Sequence, residues 1–232
     1  MANFNTHVTY AAAGSGLLSV LCLQVGMVDQ RDALTLALIG TIGGILPDID
    51  LQRSYPSRIM FSMLGIFVAF LMIFSLENDL SILELWLVGI GTFVLIRFPL
   101  WQAFHHNTTH RGSVHSIMAG LLAALSTTAI SFHILGKDDF TAWLGGLFLL
   151  LGFLLHLILD EIYSVDFTNR RIKKSFGSAL KILDTRKQFK SALITGLTFM
   201  VWFITPDETR FWDTLTSPQT YQVIASRFLP TP

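Results

Sequence analysis

The chain has 232 residues, 52% of them hydrophobic and only 14% charged, with 16 basic residues balanced by 16 acidic ones. Soluble domains carry about 25% charged residues, so this composition excludes an ordinary water-soluble fold, and a formal charge of zero gives no overall basic excess that would indicate nucleic acid, although the average hides an uneven distribution. Cys22 stands alone, which excludes an internal disulfide and thiolate-based metal chemistry.

In chain order, the apolar residues fall into seven blocks, at 8–28, 33–46, 57–76, 81–100, 114–135, 141–160 and 191–205. A run of about 20 apolar residues spans a bilayer as a helix. The predicted fold is therefore all-α: a polytopic transmembrane helix bundle of six to seven segments over residues 1–205, with a basic loop at 166–190 and a polar C-terminal tail at 206–232. The small residues Ala11 to Gly16 look like a signal-peptide cleavage region, but no Lys or Arg precedes Arg31. The basic n-region of a signal peptide is missing, so 8–28 is read as a retained first helix whose small-residue face suits close packing. The block at 33–46 is short and holds Gly40, Gly43 and Gly44, which fits a tightly packed or re-entrant segment as well as a full span. The block at 191–205 is also short.

If all seven cross, the N-terminus shares one face with the loops at 47–56, 101–113 and 161–190. That face receives Arg53, Arg58, Arg97, Arg111, Arg170, Arg171, Lys173, Lys174, Lys181, Arg186, Lys187 and Lys190, or 12 of the 16 basic residues, leaving Arg31, Lys137, Arg210 and Arg227 for the other. By the positive-inside rule the first face is cytoplasmic and the C-terminal tail lies opposite.

The candidate ligands converge on this same face although they played no part in assigning it. His7 precedes the first segment, Asp48 and Asp50 follow the second, His110 and His115 lie between the fourth and fifth, and His156 and Asp160 end the sixth. Neutral imidazole and carboxylate are ligands for zinc, manganese or iron, and separate stretches delivering both to one interface is the pattern a metal site needs. Each piece also has a plainer reading. The Leu46-Pro47-Asp48-Ile49-Asp50 turn could merely end a helix. His110 and His115 are five apart, which suits a loop leading into a helix, with Gly112 in the turn, Ser113 as N-cap and His115 in the first turn. His156 and Asp160 are four apart and share one helical face, close enough to hold one ion or to hydrogen-bond each other. Ionisable groups inside a membrane cost roughly 2.5–3.5 kcal/mol each, so this pair needs a partner. His105 and His106 are expected as solvated loop residues, and His133 as a packing or interfacial histidine on the opposite face.

Together these residues resemble the YdjM-like family of inner-membrane proteins, described as metal-dependent hydrolases. The resemblance is carried by Thr6-His7-Val8 before a small-residue helix, the Leu46 to Asp50 turn, the His-Arg-Gly-x-x-His-Ser element at His110 to Ser116, and the Gly-x-x-x-His-x-x-x-Asp helix at Gly152 to Asp160. Where members often carry a histidine after the Asp pair, this chain has Leu51. The resemblance implies hydrolysis at a divalent metal, zinc first, with manganese, iron or magnesium as other choices. His7, Asp48, Asp50, His110, His115, His156 and Asp160 form the candidate ligand set, which exceeds one tetrahedral ion and leaves room for a second metal or for residues that orient the ligands. In that reading a metal lowers the pKa of water, Asp50 or Asp160 handles protons, and Arg111 clamps an anionic substrate group. The expected function is a membrane-embedded hydrolase at the cytoplasmic interface acting on a phosphoester or lipid. The alternatives are a non-catalytic protein stapled by its metal, or an ion or metal transporter, although transport would favour ionisable residues nearer the midplane.

Overall fold

A computed structural model describes residues 3–50, 55–107, 112–166, 171–172 and 180–228, with the backbone alone described at 50, 55–56, 107, 165–166 and 171–172. The described residues are almost wholly helical: α1 (Phe4–Gln24), α2 (Gln30–Gly43), α3 (Tyr55–Ser75), α4 (Ile82–Leu95), α5 (Trp101–Asn107), α6 (Ile117–His133), α7 (Asp139–Ile162), α8 (Gln188–Trp202), α9 (Thr209–Thr216) and α10 (Pro218–Phe228). A 3₁₀ turn at Leu46–Asp50 follows α2, and the one extended pairing described is a two-residue antiparallel ladder, Val165 with Ile172 and Asp166 with Arg171.

Each of the seven apolar blocks coincides with a helix, but four helices are long and apolar enough by themselves to cross a membrane: Phe4–Gln24, Ser57–Ser75, Ile82–His106 and Asp139–Ile162. The remaining three are shorter, at 14 residues for α2, 17 for α6 and 15 for α8.

The chain divides into two compact units, one of residues 1–47 and 113–232, the other of 48–112. In the first, α7 is the axis. Of its most apolar window 61% is buried, against 28% for α1, because α1, α2, α6 and α9 all pack on it. Helices α1, α2, α6, α7 and α8 run between the same two ends. At one end α6 begins where the backbone N–H groups of Ile117 and Met118 donate to the carbonyls of Lys181 and Ile182, and the Ser191 hydroxyl at the start of α8 donates to the Asp184 carbonyl. At the other, His133 at the end of α6 bonds the Ile204 carbonyl after α8, and Lys137 pairs with Asp32 of α2. This end also carries the segment read from sequence as a polar tail. That segment forms α9 and α10, and Phe211 is buried against Phe140 and Trp143 while Arg210 reaches Asp138 and Asp139.

The second unit is an α3–α4 hairpin, with Gly65 close against Phe93 and Gly89 against Ile73. Pro99 interrupts the helix after α4 with a π-turn at Ile96–Leu100, the usual accommodation of a ring that cannot donate an N–H. The turn is followed by Trp101 and His105, four residues apart in α5. Ser57 accepts from the Trp101 indole N–H at 3.1 Å and meets Nε2 of His105 at 2.7 Å. His105 is thus a buried helical residue and not the solvated loop residue expected of it, because its hydrogen bond to Ser57 joins α5 to α3; His106 is exposed.

Candidate metal centre

Asn3 caps α1 by accepting the Thr6 N–H at 2.8 Å, which starts the helix early enough to place His7 within its first turn. Residues 7, 11, 15, 19 and 22 are the buried ones of α1, the stripe that a 3.6-residue period turns toward neighbouring helices. His7 heads that stripe. His156 and Asp160 occupy the last two turns of α7 on its buried face, near Phe153 and Leu157. The fourth group arrives differently from expectation. Ser116, not Ser113, caps α6 by accepting the Ala119 N–H at 3.3 Å, while its own hydroxyl donates to the Ser113 carbonyl. His115 therefore sits just before the helix, turned inward.

These four side chains meet at the end of the first unit where α1 and α6 begin and α2 and α7 finish. The His7 and His156 rings stack with centroids 3.6 Å apart and planes 14° apart. Asp160 lies between two imidazoles, with Oδ1 at 3.4 Å from Nε2 of His7 and Oδ2 at 3.4 Å from Nε2 of His115. His115 also meets His156 edge to face at 5.3 Å. All four are at most 2% exposed. His156 Nδ1 contacts the Gly44 carbonyl oxygen at 2.8 Å. A carbonyl can only accept, so Nδ1 donates, and the lone pair of the neutral ring resides on Nε2.

Among the described residues, His7, His156 and Asp160 form a group whose ligand atoms lie within 4.8 Å of one another and could hold a metal ion. The donor chemistry fits: two imidazoles and a carboxylate, with a third imidazole adjoining, suit zinc and also manganese or iron. The spacing fits as well. At 3.4 Å the His7–Asp160 contact is longer than a good hydrogen bond, yet it matches the roughly 3.3 Å edge of a tetrahedron whose metal–ligand bonds are 2.0–2.1 Å. Nδ1 of His7 is buried without a hydrogen-bond partner among the described residues, an arrangement that buried polar groups rarely tolerate.

Of the residues expected from sequence, His7, His115, His156 and Asp160 are brought together. Asp48 and Asp50 belong to the other unit, with only the backbone of Asp50 described, and His110 and Arg111 lie outside the described residues. Sequence reasoning missed the Gly44 carbonyl, a main-chain group that no motif encodes; the run of Gly40, Gly43 and Gly44 was its only signal.

No curated protein and no solved structure matches the chain. A family model, that of the YdjM inner membrane protein, matches residues 1–168, which include every residue of the His–Asp cluster, and the chain belongs to that family.

Proposed function

We propose that this inner-membrane protein is a metal-dependent hydrolase whose site opens at the cytoplasmic interface and acts on a lipid or phosphoester. The observation that carries the reading is the convergence of His7, His156 and Asp160, with His115 beside them, from helices that start far apart in the chain. When bound there, a divalent ion would supply Lewis-acid polarisation of a carbonyl or phosphoryl group and an activated water near neutral pH. The chain's own part is to hold that ion and keep the surroundings dry. His7, His156 and Asp160 are its proposed ligands, and His115, whose Nε2 lies 3.4 Å from Oδ2 of Asp160, either joins them or orients the carboxylate. Asp160 is also the carboxylate placed to take a proton. Arg111 and Asp50 remain proposed as anion clamp and second base, and Asp48 and His110 as further ligands.

Depth favours a lipid. Helix α7 has 24 residues and is about 36 Å long, against a hydrocarbon core of about 30 Å. Centring it leaves about 3 Å beyond each boundary, which puts Asp160 at the boundary and His156 about 6 Å inside it. That boundary is where acyl ester groups meet the hydrocarbon, with the phosphates a few ångströms farther out. Helices α2, α6 and α8 are proposed to cross too, since they join the same two ends as α7. The distribution of basic residues along the sequence supports a cytoplasmic orientation for the cluster's end. Reporter fusions at Lys181 and after Pro232 should read cytoplasmic and periplasmic respectively; the opposite pattern overturns the orientation.

A second reading, in which the metal only staples the helices, is favoured by burial, since all four cluster residues are 0–2% exposed. Purified protein assayed with phosphoester and lipid-ester substrates separates the two. Hydrolysis that needs the metal, and that folded Asp160→Asn loses, supports the enzyme. A chelator that lowers the melting temperature with no turnover of any substrate supports the staple.

A further inference from the structure

Helices α2 and α7 touch backbone to backbone. A Cβ added at Gly152 would collide with the Gly40 carbonyl oxygen, and one at Gly43 would collide with the Leu149 carbonyl oxygen. Gly40 and Gly44 are closed on their other side by Ser15 and Ala11 of α1. Small residues let membrane helices approach this closely, and packing alone would be a sufficient reason for them. The contact has a second effect, however, because it lies one turn from the cluster. Gly152 is four residues before His156, and Gly44 immediately follows Gly43. The approach therefore sets the Gly44 carbonyl 2.8 Å from Nδ1 of His156, across 112 residues of sequence.

We propose that the Gly40–Gly43–Gly152 contact is a positioning device for His156: it holds the Gly44 carbonyl as the acceptor for Nδ1–H and so commits Nε2 as the donor atom for a metal. The inference rests on the metal reading above but concerns a step before it, the position of the proton on the imidazole ring. A free histidine in water has no fixed acceptor to hold its proton on Nδ1, whereas a ligating histidine commonly gives its second N–H to a carbonyl or carboxylate, which fixes the tautomer and the ring's orientation. Here the acceptor is a backbone atom, so its placement depends on how close two helices come and not on any side chain. Glycine at 152 is the residue on α7 that permits this approach. Gly152 is thus a positioning residue, acting through Gly44 and then His156.

Gly146 supplies the control. A Cβ there would meet Thr128 Oγ1 and the Ala124 carbonyl of α6, so Gly146→Ala is also a crowded substitution on the same helix, aimed at a different neighbour. The test uses full-length protein labelled with ¹⁵N-histidine, with the His156 signal identified by its loss in His156→Gln. In metal-free wild type, His156 should carry its proton on Nδ1; a proton on Nε2 overturns the inference without any variant being made. Gly152→Ala should lose the Nδ1–H signature and bind Co²⁺ about 10–100-fold more weakly. Gly146→Ala should keep both, even where its melting temperature falls by as much. If the two variants shift the tautomer and Co²⁺ affinity alike, the effect is general loosening of the bundle and the inference fails. Failure of wild type to take up Co²⁺ would sink the metal reading, and the proton position on His156 would still decide this one.

Discussion

The two ends of the first unit are both rich in ionisable residues, and they use them in opposite ways. At the cluster end, Asp160 is fully buried between imidazoles that are themselves at most 2% exposed. At the far end, Arg210 is 62% exposed as it reaches Asp138 and Asp139, and Lys137 is 38% exposed beside Asp32. Exposed pairs contribute about 0–1 kcal/mol because water and salt compete for both partners. A buried carboxylate has no such alternative, so removing its partners leaves a group that must be satisfied otherwise or lost. Aspartates therefore serve in a solvent-exposed fastening at one end and in a buried cluster that could hold a metal ion at the other, and solvent exclusion makes the difference.

That contrast can be broken at four points of decreasing effect. Replacing His156 by Ala removes a proposed ligand and should abolish stoichiometric uptake of a divalent ion, as metal analysis of folded protein would show; retained uptake would remove His156 from the site. Asp160→Asn keeps the shape but not the charge, and competition against a chromophoric chelator should report affinity lower by about 10–100-fold. At the far end, Phe211→Ala should cost about 1.5–3 kcal/mol of docking. It should expose the stretch around Pro206 to limited proteolysis while leaving metal content unchanged. If metal content drops with it, the two ends are coupled and the comparison fails. Smallest of all, Lys137→Met should change stability by less than about 1 kcal/mol, measured by thermal unfolding in detergent, and that little should shrink with added salt.

How much of this could be read beforehand depended on whether the information was local. The spacing of His156 and Asp160 reads directly as one helical face, and their cost in an apolar helix signals a need for partners. His7 was readable as a neighbour of theirs only through topology, by counting crossings. His115 was placed at the right end but in the wrong setting, because Ser113 and Ser116 are equally good caps by composition and the competition was settled by the 181–182 backbone covering the start of α6. The docking of α9 and α10 was not legible, since the apolar content that seats them is concentrated in Phe211, whose partners Phe140 and Trp143 lie far back in the chain. His105 was misjudged for a similar reason: its partner Ser57 is distant in sequence, and a histidine pair before a polar stretch looks like a loop.

The stacking of His7 on His156 also sets an order of events during synthesis. Roughly 150 residues separate the two rings, so at about 5–20 residues per second the ribosome needs roughly 7–30 s to make the second after the first. Throughout that interval the His7 imidazole lacks its stacking partner, and only the arrival of α7 can complete the pair. The first helix and the sixth hydrophobic block therefore meet late, ahead of the packing of α8 on α6 and of α9 on α7. A chain stopped before residue 156 would hold His7 and α1 without the His156 and Asp160 that complete the cluster, whereas supplying α7 on a separately expressed fragment should restore it, because nothing in the contact requires the two helices to share one chain.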